Sequence, residues 1–332
     1  MLSLNDLRTP ALVVERHDLE FNIATMRAAL PGPRLRPHVK AHKCTALARL
    51  QHDAGHTAFT CATIREMEGM AAAGLGADLL LANEVTDASR LGALVARGHR
   101  VTVAVDSEQT INAAARAGVH EVLIDIDVGL PRCGVEPEAG AQLAEYARAR
   151  GLEVRGVMGY EGHLQGLTSR TERANGCAES MAVLQHAHDL IGGEIVSAGG
   201  TGTFDLNAVA TEIQAGSYVL MDTAYAQQGH PFRQALAVLA TVISVSAKGW
   251  AVADCGLKAL GMDHGNSTID GATMLFHADE HVVFVPDSPV RVGDRIRVWP
   301  AHVDPTVAYH EQMALVDGEH VLEQWSIDLR GW

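Results

Sequence analysis

Basic residues are scarce in this chain. Its 332 residues carry 26 Lys and Arg against 40 Asp and Glu, a formal charge of −14. Binding a phosphate backbone needs clustered Lys and Arg, so this balance argues against nucleic acid as a partner. Aromatic residues are few as well, at 5%. No apolar stretch approaches the roughly 18–20 residues that cross a bilayer, and no basic segment leads into an apolar one at the N-terminus. The five cysteines (Cys44, Cys61, Cys133, Cys177 and Cys255) are odd in number and scattered, with no C-x-x-C pair. That usage fits a reduced, cytoplasmic protein.

What is present is a rhythm. Hydrophobic content of 47% is enough for one large core or two moderate ones. Short apolar runs occur at 35–40, 58–63, 77–83, 101–106, 121–127, 154–160, 194–200 and 212–218, separated by helical patterns rich in Ala, Leu, Glu and Arg. Such alternation implies βαβ units and a parallel sheet, and eight strands are the count of a closed (β/α)8 barrel. An open doubly wound sheet is the alternative, but "HVKAHK" after the first strand is not its glycine fingerprint. Past residue 235 the helical rhythm stops, and "LAVLATVISV", "HVVFVP", "DRIRVWP", "QMALVDG" and "HVLEQWSIDL" read as strands joined by Gly/Asp turns. The expected organisation is a barrel over 16–235 and an all-β domain over 236–332, which the N-terminal strand in residues 1–15 joins.

In such a barrel the chemistry collects on the loops after the strands. Lys40 ends the first strand; "DVGLPRCG" (127–134), "GYEGH" (159–163), "SAGGTGT" (197–203) and "AGSYV" (215–219) follow the fifth to eighth. Glycine-rich turns expose backbone N–H groups that cradle a phosphate, and the loops after strands seven and eight are the usual phosphate site of this barrel. Tight turns needing positive φ are the plain alternative for either loop alone. A lysine among barrel strands must pair or lose its proton, and a lysine of depressed pKa is the nucleophile that condenses with carbonyl compounds. Lys40 facing a phosphate loop is the arrangement pyridoxal phosphate requires; a structural ion pair is the rival role, and Lys43 the rival lysine. In "PAHVDPTV" (300–307), His302 and Asp304 are expected at i and i+2 on an extended segment, side chains pointing the same way, as a two-ligand set for a divalent cation. A surface His–Asp pair in a turn is the alternative.

Taken in order, "TPALVV", "RPHVKAHK", "DVGLPRCG", "GYEGH", "GGTGT", "QAGSYVLMD", "ADCGLKAL" and "PAHVDPTV" resemble fold-type III pyridoxal-phosphate enzymes of the D-threonine aldolase and D-serine dehydratase group, relatives of alanine racemase. The resemblance runs from about Thr9 to Thr306. It implies a cofactor-binding barrel with a β domain, a divalent metal and a homodimer. Lys40 matches the lysine that carries the cofactor. Gly200, Thr201, Gly216 and Ser217 match phosphate binders, with Tyr218 adjacent. Gln214 falls where alanine racemases place an arginine toward the pyridine nitrogen, and Arg132 and Tyr160 match residues close to cofactor and substrate. His302 and Asp304 match the metal pair, for which Mn2+ or Mg2+ suits better than Zn2+. Aspartate at the second ligand is typical of the aldolases, cysteine of the dehydratases, so the resemblance implies cleavage of D-3-hydroxy amino acids to glycine and an aldehyde, with His163 a candidate base. Dehydration is the alternative reading, followed by racemisation and a non-catalytic cofactor carrier. What Gly261 and His264 in "KALGMDHG" contact is not readable from the chain.

Overall fold

The computed structural model describes residues 2–332. They form two compact units: one from Met26–Lys40, Leu47–Gly216 and Leu329–Trp332, the other from Ala41–Ala46, Ser217–Asp328 and the N-terminal residues up to Thr25.

After β1 (Ala11–Glu15) of the second unit, the strands of the first unit follow as β2 (Ala58–Cys61), β3 (Asp78–Leu81), β4 (Val101–Val105), β5 (Glu121–Asp125), β6 (Glu153–Gly159), β7 (Ile195–Ala198) and β8 (Glu212–Ile213). They pair in sequence order, all parallel, as a seven-stranded sheet with helices between them. The expected first strand is not regular. Residues 35–38 form single bridges, Leu35 to Ile213 and His38 to Thr60, and then wind into a 3-10 turn at Val39–Ala41. Those bridges nonetheless close the ring. Arg36 and His38 donate N–H to the carbonyls of Ile213 and Ala215, while Thr60 N–H donates to the Pro37 carbonyl. Pro37 lacks the N–H that a regular strand would direct at β2, so the pairing there is a bridge and not a ladder.

Local signals set the intervening helices. Thr63 and Glu66 make a reciprocal capping box at the start of Ile64–Ala72. Ser107 caps Glu108–Ala117, which Gly118 ends at φ 78°. The helix after β3 begins at Ser89, where the Asp87 carboxylate takes the Ser89 N–H.

The N-terminal ends of the strands carry a network of ions. Arg36, with 3% of its side chain exposed, donates to Glu212 at 2.9 Å and to Asp78 at 3.0 Å. Arg155 donates to Thr102 at 2.8 Å and lies 3.2 Å from Glu121. These charges tie β3, β4, β5, β6 and β8 to the closing segment at the end of the barrel opposite the loops that follow the strands.

The second unit is an eight-stranded, mainly antiparallel sheet. Its later strands are β9 (Leu236–Val245), β10 (Ala251–Ala253), β11 (Ala272–His277), β12 (Val282–Pro286), β13 (Arg295–Val298), β14 (Gln312–Asp317) and β15 (His320–Ser326). β1 sits inside it, antiparallel to β9 and parallel to β14, so the N-terminal strand belongs to this sheet as expected. Val13, Ala237, Leu239, Ala314 and Val316 pack as part of its core with Leu4 and Leu7. Two features depart from the sequence reading. β11 has no apolar alternation to reveal it, because it is a half-exposed edge strand broken by a bulge near Phe276. The segment after His302 is not extended: Val303–Tyr309 is a helix with His302 at its N-cap. Pro305 falls within the first helical turn, where a missing N–H costs nothing.

Candidate active site

In the first unit the stretch "HVKAHK" is a turn held by its own imidazoles. His38 Nδ1 accepts from the Lys40 N–H at 3.4 Å, and His38 is buried. In the second unit His42 repeats the device, its Nδ1 accepting from the Cys44 N–H at 3.2 Å. In a neutral imidazole an accepting Nδ1 places the ring proton on Nε2. His38 thus shapes the backbone at Lys40, which is half-buried. Lys43 is equally half-buried, in the left-handed region at φ 46°; the rival lysine is not an open surface residue.

The loop after β7 is built from below by residues the sequence did not single out. Glu161, fully buried, takes the Thr203 O–H at 2.7 Å on one oxygen and the Gly199 N–H at 3.2 Å on the other. Gln165 Oε1 accepts from the Gly202 N–H at 2.7 Å, and its Nε2 donates to Thr203 Oγ1 at 3.1 Å. A side chain at Gly200 or Gly202 would collide with Gln165, at 2.7 and 2.9 Å. A side chain there would have to displace the Gln165 amide from its hydrogen bonds to the loop. Burial pushes the Glu161 carboxyl up, against the hydrogen bonds from Thr203 and the backbone. The one sequence signal for it was an acid between glycines in "GYEGH". Glu161→Gln replaces an acceptor with a donor facing the loop. We expect it to weaken pyridoxal phosphate binding about tenfold, the scale of one lost charge-assisted hydrogen bond. Titration of cofactor-free protein checks this, and parent-like affinity would remove Glu161 from the loop's support.

Gln214 donates Nε2 to Ser197 Oγ at 2.8 Å, and Ser197 Oγ donates to Glu212 at 2.7 Å. The amide is thus oriented by a chain that ends on Arg36. Arg132 lies 5.5 Å over the Tyr160 ring, so two residues expected near cofactor and substrate do meet. His163 stands exposed on a 3-10 turn, with its ring against Gly129. Beside Arg132 is an acidic group the sequence did not foretell. Glu84, Asp106 and Cys133 bring ligand atoms within 4.8 Å of one another. Asp125 lies among them, and burial, then Glu84, raise its pKa well above the usual value. Burial and Glu84 also push the Cys133 thiol up to about 12.

In the second unit the Ser217 hydroxyl donates to Asp304 Oδ1 at 3.2 Å, joining an expected phosphate binder to an expected metal ligand. Tyr218 is buried, its ring 5.5 Å from that of Phe232. Asp222 takes the Tyr225 N–H on one oxygen and the Val303 N–H on the other, which fixes the start of the helix after His302. Burial raises Asp222 to about 6. Among the described residues, the ligand atoms within 4.8 Å of one another around His302 are those of Asp263 and His264, and Asp304 is not one of them. An imidazole and carboxylates suit a hard divalent cation. On the first unit, a lysine in a rigid turn and a glycine loop with two buried threonines suit pyridoxal phosphate.

These two units and their residues define an alanine racemase-like protein of the pyridoxal-phosphate class. The family described as "Alanine racemase, N-terminal domain" matches residues 14–224, and "Putative serine dehydratase domain" matches residues 235–316; the chain belongs to this family. Along its length it is similar to the D-threonine aldolase of an Arthrobacter species, 33% identical over 98% of this chain and 93% of the relative. The 3-hydroxy-D-aspartate aldolase of Paracoccus denitrificans is also 33% identical, with the same shares covered. The crystal structure of D-threonine aldolase from Filomicrobium marinum superposes with a TM-score of 0.93 at 33% identity, covering 99% of this chain and 98% of that one.

Proposed function

We propose that this protein is a pyridoxal-phosphate- and divalent-metal-dependent lyase that cleaves D-3-hydroxy amino acids of the D-threonine kind to glycine and an aldehyde. The whole-length likeness to two aldolases carries the reaction class, and Asp304, where a dehydratase typically has a thiol, supports carbon–carbon cleavage over dehydration. When bound, pyridoxal phosphate supplies a sink for the electron pair left at Cα, and the cation supplies Lewis acidity at the 3-hydroxyl.

The chain's own residues do the rest. Lys40 would hold the cofactor through its amine. Gly200, Thr201, Gly216 and Ser217 offer N–H and O–H donors to the phosphate, with Tyr218 beside them. Gln214 would offer a neutral amide to the ring nitrogen. Arg132 and Tyr160 orient the substrate. His302 and Asp304 hold the cation, Mn2+ or Mg2+ ahead of Zn2+. His163 is the candidate that takes the hydroxyl proton as the Cα–Cβ bond breaks; a proton delivered to Cα then completes glycine. The assembly we propose is a homodimer. Among the described residues no helix is long and apolar enough to cross a membrane.

The serine dehydratase-type domain match keeps a second reading in view, loss of water from the same substrates. Incubation with D-threonine separates the two. Acetaldehyde with glycine is the expected product pair, whereas 2-oxobutyrate with ammonia would replace the aldolase by the dehydratase. EDTA should abolish turnover and Mn2+ restore it; full activity after metal removal would defeat the metal-assisted reaction.

A further inference from the structure

The segment that the sequence left unread, Gly261–Gly265, lies against the expected metal histidine. Gly261 bridges to His302 in the antiparallel sense, and its N–H donates to Thr306 Oγ1 at 2.8 Å. Thr306 in turn donates to the His302 carbonyl at 2.6 Å. A side chain at Gly261 would run into Pro305 at 2.3 Å. Backbone, hydroxyl and glycine therefore clamp this loop to the first turn of the helix Val303–Tyr309. The clamp presents two side chains to His302. Asp263 places both carboxylate oxygens at its Nδ1, 2.9 and 2.8 Å away. His264 stacks on its ring, with centroids 3.7 Å apart and planes at 10°.

A carboxylate only accepts, so a nitrogen held between its two oxygens carries the proton. In a neutral imidazole the lone pair is then on the other nitrogen. We propose that Asp263 is a positioning residue for the metal site: it fixes His302 as the Nδ1–H tautomer and leaves Nε2 as the ligand atom, while His264 limits rotation of the ring. Metal-binding histidines depend on such partners, and losing one costs roughly 10- to 100-fold in affinity. The inference rests on His302 being a metal ligand, as proposed above.

The test uses the cofactor-loaded protein stripped of metal with EDTA and titrated with Mn2+ alone, free Mn2+ being read by its electron paramagnetic resonance signal. Asp263→Ala should weaken Mn2+ binding about 10- to 100-fold, and Asp263→Asn, whose amide oxygen still accepts from Nδ1–H, should recover most of the loss. Nitrogen-15 NMR of the metal-free protein should show His302 as the Nδ1–H tautomer in the parent and a shift toward Nε2–H in Asp263→Ala. Equal losses in the Ala and Asn variants would make Asp263 a ligand and overturn the positioning role, as would unchanged affinity in Asp263→Ala. A His302→Ala arm separates the two ideas. If it binds Mn2+ like the parent, the assignment of His302 itself fails; if it loses Mn2+ while Asp263→Ala does not, only the inference fails.

Discussion

Lys40→Ala protein should emerge from gel filtration without the cofactor's visible absorbance and with activity reduced by roughly 10³-fold or more, the scale on which a covalent or proton-transferring group is missed. Lys40 follows a segment whose amides close the barrel on β8. It lies in a turn whose backbone His38 braces from within, and it is half out of water. An amine held on a rigid turn is kept in place for the carbonyl it must meet, which one on a mobile surface chain is not. Lys43→Ala should keep both colour and activity. Borohydride reduction of the parent followed by peptide mapping should place the pyridoxyl group on Lys40. A coloured Lys40→Ala protein, or label on Lys43, would overturn the assignment of cofactor lysine and reacting rim together.

The largest effect on stability is expected at the other end of the barrel. Arg36→Ala should lower the free energy of unfolding by about 3–5 kcal/mol, because removing one partner of a buried ion pair leaves the other charged and unpaired. Here Glu212 and Asp78 both lose their closest cation. Burial opposes ionisation of Asp78, but Arg36 first, then Arg155 and Arg100, hold its carboxyl below the usual range. A depressed carboxylate adds stability that is complete above its unfolded value, about 3.9, and is lost as pH falls through its folded value. The gap between parent and Arg36→Ala should therefore narrow only in strong acid. Denaturant unfolding at neutral and low pH measures both points. A loss under about 1 kcal/mol at neutral pH, the scale of an exposed pair, would mean that water already reaches the network.

The seven regular strands of the barrel were legible because each falls in a short apolar run, most of them set between helical patterns. β11 and the helix Val303–Tyr309 were not. The first is an edge strand with no buried face to impose alternation. The second was hidden by Pro305, which reads as a breaker until it is known to sit in a first turn. The same limits apply to the site. Lys40, the glycine loops, and His302 with Asp304 stand out because their residue types are unusual where they occur. Glu161, Gln165, Asp222 and Asp263 do not, since an acid or amide in a polar loop is ordinary.

By itself, then, the sequence determined the alternating barrel, the β domain that recruits the N-terminal strand, and the residues with distinctive chemistry, because periodicity and residue type are local properties of the chain. Only the tertiary structure decided which groups support them: Glu161 beneath Gly199 and Thr203, Asp222 at the amide of Val303, Asp263 at Nδ1 of His302. Those pairs lie 38 to 81 residues apart, and a hydrogen bond over that separation exists only once the backbone between its ends has folded.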